Sequence, residues 1–140
     1  MANTVTTRPT HVPGLWVSQA RAQMLLSGAT PKNGGTDATW YAAELLLAAL
    51  NTCATSLIHA AADEKGLDLH DLLITAESER DAVQPDHYSR VHLHFHLQGV
   101  SQEEAEGLVA YFKANCPIYG TVSRGTPVST TVSVGRLITN

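Results

Sequence analysis

Cysteine is nearly absent: the chain carries two, Cys53 and Cys116, among 140 residues. Two thiols cannot staple a secreted disulfide scaffold and fall short of a four-cysteine zinc site, yet they suffice for one redox pair. Basic charge is also scarce. Nine Lys and Arg stand against thirteen Asp and Glu, a formal charge of −4, with no basic cluster to hold nucleic acid or an acidic membrane surface. Long apolar runs are missing too. The longest uncharged stretch, Leu45 to Ala62, is interrupted by Asn51, Thr52, Thr55, Ser56 and His59, so it reads as a buried helix and not a membrane span. The first residues, with Arg8 and Pro9 among threonines, lack the apolar centre of a signal peptide. The expected compartment is therefore the cytoplasm, where thiols stay reduced unless they are catalytic or sensing. No G-x-x-x-x-G-K-[ST], G-x-S-x-G or H-E-x-x-H occurs, which removes the sequence signatures of a P-loop, an α/β-hydrolase and a zinc protease.

What is present is the composition of one globular domain over residues 1–140, with 44% hydrophobic and 16% charged residues. Residues 1–14, with Pro9 and Pro13, read as an extended arm, and 15–27 as one or two strands. Pro31, Asn33, Gly34, Gly35 and Asp37 mark a loop. From Trp40 to Lys65 there is no Gly or Pro, and Ala and Leu dominate, which predicts a long helix stopped by Gly66. Leu46, Leu50, Cys53, Leu57 and Ala61 recur at three- and four-residue steps and form its expected inner face. A strand follows over 69–82, then a turn at Gln84 to His87. Val91, Leu93, Phe95 and Leu97 alternate with His92, His94 and His96 up to Gly99, the pattern of a half-buried strand. Ser101 and Glu104 form a capping box for a second helix. Pro117 breaks that helix and opens a short third one, and a β-branched strand over 126–138 closes the chain. The order β–α–β–β–α–β with a long middle helix predicts an α+β domain.

The two cysteines admit two readings. Both can be small buried hydrophobes, a common fate of free cysteine. If they meet in space, one thiolate can attack a peroxide O–O bond and the other can resolve the sulfenic acid as a disulfide. The 62 residues between them do not decide which.

Several segments resemble the OsmC/Ohr family, the osmotically inducible and organic-hydroperoxide-resistance proteins. Glu44 to Cys53 resembles the family's central-helix motif, and Gly34-Gly35-Thr36-Asp37 its Gly-rich approach. The stretch His87 to Gly99 is similar to its mid-chain strand, and Ala114-Asn115-Cys116-Pro117-Ile118 to its second cysteine motif. Together these span about residues 15 to 135 in the family's order. The resemblance implies an antiparallel sheet with a long central helix carrying the first cysteine, in an intertwined homodimer with active sites at the subunit interface. It implies a thiol-dependent peroxidase for organic hydroperoxides or hydrogen peroxide, needing no cofactor or metal. Cys53 is then the peroxidatic thiol, Cys116 the resolving one, and a dithiol of lipoyl type or a small thiol the reductant.

A reactive thiolate needs a cation, a helix N-terminus or a metal nearby, and a mid-helix Cys53 gains nothing from the helix dipole. Hydroperoxide-reducing members supply an arginine from the N-terminal segment, which points here to Arg21, or else Arg8, held by a glutamate early in the central helix. Those members carry that glutamate ten residues before the cysteine, where this chain has Ala43; Glu44 stands nine before. Nine residues turn a side chain about 180° away and roughly 13 Å along the axis. Glu44 thus serves Cys53 across a dimer, or it is a first-turn acid favouring the dipole. Trp16, Trp40, Tyr41 and Phe112 are candidates for an apolar entrance. Two rival readings remain: a zinc or copper site on the His92/His94/His96 face, and a non-catalytic small-ligand-binding or redox-sensing dimer, which Ala43 favours.

Overall fold

The computed structural model describes residues 2–136, which fall into two compact units, one ending at Leu46 and one beginning at Leu47. In the first, β1 (Thr6–Pro9), β2 (Leu15–Ala20) and β3 (Gln23–Gly28) form an antiparallel meander in the order β1-β2-β3. The arm expected over 1–14 is thus partly a strand, because Thr6 to Pro9 pair with Gln19 to Trp16. Pro9, which has no N–H, lies at the strand's last position, where it spoils no interior pairing. After a single 3-10 turn at Pro31–Asn33, Gly35 passes so close to the Ala29 carbonyl that a Cβ there would sit 1.7 Å from the oxygen. Only glycine fits.

Helix α1 (Ala42–Glu64) crosses from the first unit into the second. It starts where Glu44 reaches back to accept the Tyr41 amide at 2.9 Å, and Gly66, at φ 66, takes the left-handed conformation that ends it. The helix is 23 residues long and contains a stretch of 18 residues with a mean hydropathy of 1.5, enough by length and composition to cross a membrane. Leu50, Ala54, Ile58, Ala61 and Ala62 spend that apolarity on the core of the second unit. The buried face is therefore centred one step away from the expected one: Cys53 and Leu57 flank it and are partly buried. Thr52, Ser56, His59 and Ala60 stay exposed, so within one chain the helix is packed on one side and not all round.

Helix α1 is followed by β4 (Asp71–Arg80), β5 (Tyr88–Gln98), α2 (Gln102–Asn115), α3 (Pro117–Ser123) and β6 (Val128–Val134), with strand order β4-β5-β6. β4 and β5 are antiparallel, but β5 and β6 run parallel. This corrects the all-antiparallel expectation: α2 and α3 form a crossover long enough to return the chain to the same end of the sheet. Positions 137 and 138 of the expected closing strand lie outside the described residues. Val91, Leu93, Phe95 and Leu97 of β5 are fully buried and meet Leu50 and Ile58 of α1 and Leu108 and Phe112 of α2. Each such side chain contributes roughly 1.5–3 kcal/mol by leaving water. The Ser101–Glu104 capping box forms in both directions, satisfying two end groups of α2.

Candidate active site

Cys116 is placed by the break between α2 and α3. Pro117 has no N–H to continue α2, and its ring drives the preceding residue out of the helical region; Cys116 accordingly sits at φ −86, ψ 115. Its amide still donates to the Phe112 carbonyl at 2.9 Å, closing α2. Its sulfur accepts the Tyr119 amide at 3.3 Å, opening α3. Asn115 Nδ2 donates to the Tyr111 carbonyl, and the Tyr119 ring packs edge-on against Phe112 at 5.3 Å. The residue is thus fixed through both backbone and side chain.

The two sulfurs lie 2.6 Å apart, with the Cys116 thiol donating to Cys53. Both are free thiols. A disulfide would need them at about 2.05 Å, so the fold brings the two sulfurs within reach of a bond. Cys116 is 4% exposed, whereas Cys53 is only half-buried and is the sulfur a small electrophile can reach. Burial pushes the Cys53 thiol up from 9.0 to about 11; the hydrogen bond and the charge of Cys116 add to the rise, and the Ile118 amide opposes it. The backbone amides of Ile118 and Tyr119 address one sulfur each. Sequence reading missed both, since a backbone donor carries no residue signature, although Pro117 at the first helical position was the available clue.

The other expected residues lie in the first unit. Arg21 occupies the two-residue turn joining β2 to β3 at φ 55 and is exposed. Arg8 faces Val17 across the β1–β2 pair. Neither guanidinium forms a hydrogen bond or ion pair with the described residues. Glu44 caps the start of α1 and, with Asp37, Ala38, Thr39, Trp40 and Tyr41, lines an open cleft of about 610 Å³. Trp40 is 47% exposed there. Phe112 is a core residue between Phe95 and Tyr119, which removes it from any entrance.

The histidine face of β5 has a structure of its own. His92 bridges Ser129 and Thr131 at 2.7 and 3.1 Å, and His94 bridges Thr131 and Ser133 at 2.5 and 3.2 Å. His96 bridges Ser133 and the Gly135 carbonyl at 2.7 and 3.1 Å. A carbonyl can only accept, so His96 Nε2 carries a proton. With neutral rings every other donor then follows: each hydroxyl donates to an Nδ1, and Thr131 and Ser133 also accept from an Nε2–H. The parallel register of β5 and β6 sets Ser129, Thr131 and Ser133 beside the three rings, which are occupied by hydroxyls. Among the described residues no group of three or more His, Cys, Asp or Glu is arranged to hold a metal.

The second unit of this α+β chain brings two free thiols together beside a helix break. The family model described as OsmC-like protein matches residues 35–131, and the chain belongs to that family. No curated protein matches it by sequence. An OsmC-like protein from Mycoplasma pneumoniae is similar in structure, with a TM-score of 0.85 at 15% identity, covering 97% of this chain and 99% of that one. An organic hydroperoxide resistance protein OsmC from Legionella pneumophila gives 0.75 at 23% identity, covering 97% and 98%. An organic hydroperoxide resistance protein from Elizabethkingia anophelis gives 0.74 at 19%, covering 98% and 97%. At these identities the likeness establishes the fold.

Proposed function

We propose that the chain is a thiol-dependent hydroperoxide reductase acting on organic hydroperoxides or hydrogen peroxide in the cytoplasm. The observation that carries this reading is the 2.6 Å separation of the Cys53 and Cys116 sulfurs. The Cys53 thiolate attacks the terminal peroxide oxygen: an S–O bond forms, the O–O bond breaks, and the leaving alkoxide takes a proton and departs as alcohol. The Cys116 thiolate then attacks the Cys53 sulfenic sulfur, forming the disulfide and expelling hydroxide. A dithiol reduces the disulfide and is itself oxidised. Arg21 supplies positive charge to Cys53, and Glu44 orients it, in a homodimer. Support for a second copy comes from β3, an edge strand whose Met24 and Leu26 are 73% and 52% exposed. Apolar edges of this kind are covered in stable assemblies.

The test mixes reduced protein with cumene hydroperoxide and a dithiol, beside Cys53→Ser and Cys116→Ser. Dithiol oxidation by the parent and its loss in Cys53→Ser are expected. A parent rate no higher than that of Cys53→Ser would sink the reading. The second reading, a ligand-binding or redox-sensing dimer without turnover, is favoured by Ala43 standing where hydroperoxide-resistance members carry the acid. Such a protein would form the disulfide once and show no multiple turnover with dithiol.

A further inference from the structure

We propose that the dithiol reductant opens the Cys53–Cys116 disulfide at Cys53: the mixed disulfide forms on the Cys53 sulfur, and Cys116 is the first thiolate to leave. The inference rests on the two cysteines cycling through a disulfide, and it names the covalent intermediate of the reductive half of that cycle. Its test uses no peroxide.

A thiolate attacks a disulfide sulfur along the continuation of the S–S bond, because the electron pair enters the antibonding orbital on the far side of that sulfur. Two lines of approach exist, one ending on each cysteine, and access decides between them. Cys116 is 4% exposed and belongs to the core cluster with Leu108 and Phe112. Its amide is tied to the Phe112 carbonyl and its sulfur to the Tyr119 N–H. A thiol from solvent finds no line to it without unpacking the core. Cys53 is only half-buried. Of its neighbours one turn away on α1, Leu50 and Leu57 lie toward the core, whereas Ala49 and Ser56 are small and exposed. No large side chain on that flank of α1 overhangs the Cys53 sulfur.

The backbone donors match this order of departure. In the first step the reductant's sulfur bonds to Cys53 Sγ and the Cys53–Cys116 bond breaks. The electron pair leaves on Cys116, where the Tyr119 N–H already meets the sulfur at 3.3 Å, and that thiolate then takes a proton. In the second step the other thiolate of the reductant attacks the reductant sulfur held on Cys53. The reductant closes its own disulfide, and Cys53 leaves as thiolate beside the Ile118 N–H. Two electrons and two protons pass from the dithiol to the pair. Each cysteine departs once, against one backbone amide, and the sulfur that meets peroxide is the last to be freed.

The experiment begins with protein oxidised by diamide until no free thiol remains and then cleared of reagent. It is mixed with 2-mercaptoethanol, a monothiol that cannot take the second step and is small enough to give Cys116 its best chance. Samples are quenched in acid by rapid mixing, unfolded, capped with N-ethylmaleimide and mapped without reduction. At the earliest times the mercaptoethanol adduct is expected on the Cys53 peptide and the maleimide on the Cys116 peptide, in about tenfold or greater excess over the reverse labelling. An adduct mainly on Cys116, or equal labelling of the two, would overturn the proposal, as would a pair that diamide cannot close. Labelling as expected in a protein inactive toward cumene hydroperoxide would end the peroxidase reading alone. An active peroxidase labelled on Cys116 would end this inference alone.

Discussion

Cys116 Sγ reaches Cys53 Sγ from 63 positions along the chain because Pro117 stops α2 one residue before the sulfur would rotate away on a continuing helix. The consequence is chemical: the more exposed sulfur is the one that burial and its neighbour hold in the protonated state.

That state has a pH signature in stability. Cys53 is raised from 9.0 to about 11 in the folded chain by burial, then by Cys116. Between those values the folded state holds a proton that the unfolded chain has released, so the stabilising contribution is complete below about 9 and is lost as pH rises through about 11. Under reducing conditions, urea midpoints should fall over that window. The fall should be smaller in Cys53→Ala. Equal slopes in the two proteins would contradict the assignment.

Pro117→Ala frees α2 to extend and releases Cys116 from its extended conformation. Closure of the disulfide by diamide should slow severalfold. Stability should change by about 1 kcal/mol or less, since proline at the first helical position makes no interior hydrogen bond. Free-thiol titration over time measures the first and denaturant unfolding the second.

At Gly35 the added Cβ of alanine would fall 1.7 Å from the Ala29 carbonyl oxygen. Backbone must move there, and no flexible side chain can yield instead. Gly35→Ala should destabilise by about 2 kcal/mol or more, seen as a lowered thermal midpoint, whereas Gly120→Ala, with nothing within 4 Å of its added Cβ, should not.

Thr131 is the shared hydroxyl between His92 and His94. Thr131→Val removes it at nearly constant shape. Nitrogen-detected NMR at a pH where the rings are neutral should show all three histidines as Nε2–H in the parent. In the variant His92 should become a tautomeric mixture, while His96, held by Gly135, and His94, held through Ser133, keep their form. A mixed His96 in the parent would refute the ordered chain of donors. The cost in stability should be about 1 kcal/mol.

Local signals in the sequence determined much of this protein. Alternation at Val91, Leu93, Phe95 and Leu97 specified a strand and its inner face, because a pleated backbone turns every second side chain the same way. Ser101, Glu104, Gly66 and Pro117 set helix ends through hydrogen bonds and torsions a few residues wide. The long helix was legible for the same reason, although its buried face was displaced by about one step, since Cys53 and Leu57 fall on the margin between core and open side. Other features depended on partners far away in the chain. The parallel pairing of β5 with β6, the hydroxyls beside the three histidines, the 2.6 Å meeting of the sulfurs and the amides addressing them are products of the crossover through α2 and α3. Periodicity encodes which way a side chain faces. Only the packed tertiary structure decides what it faces.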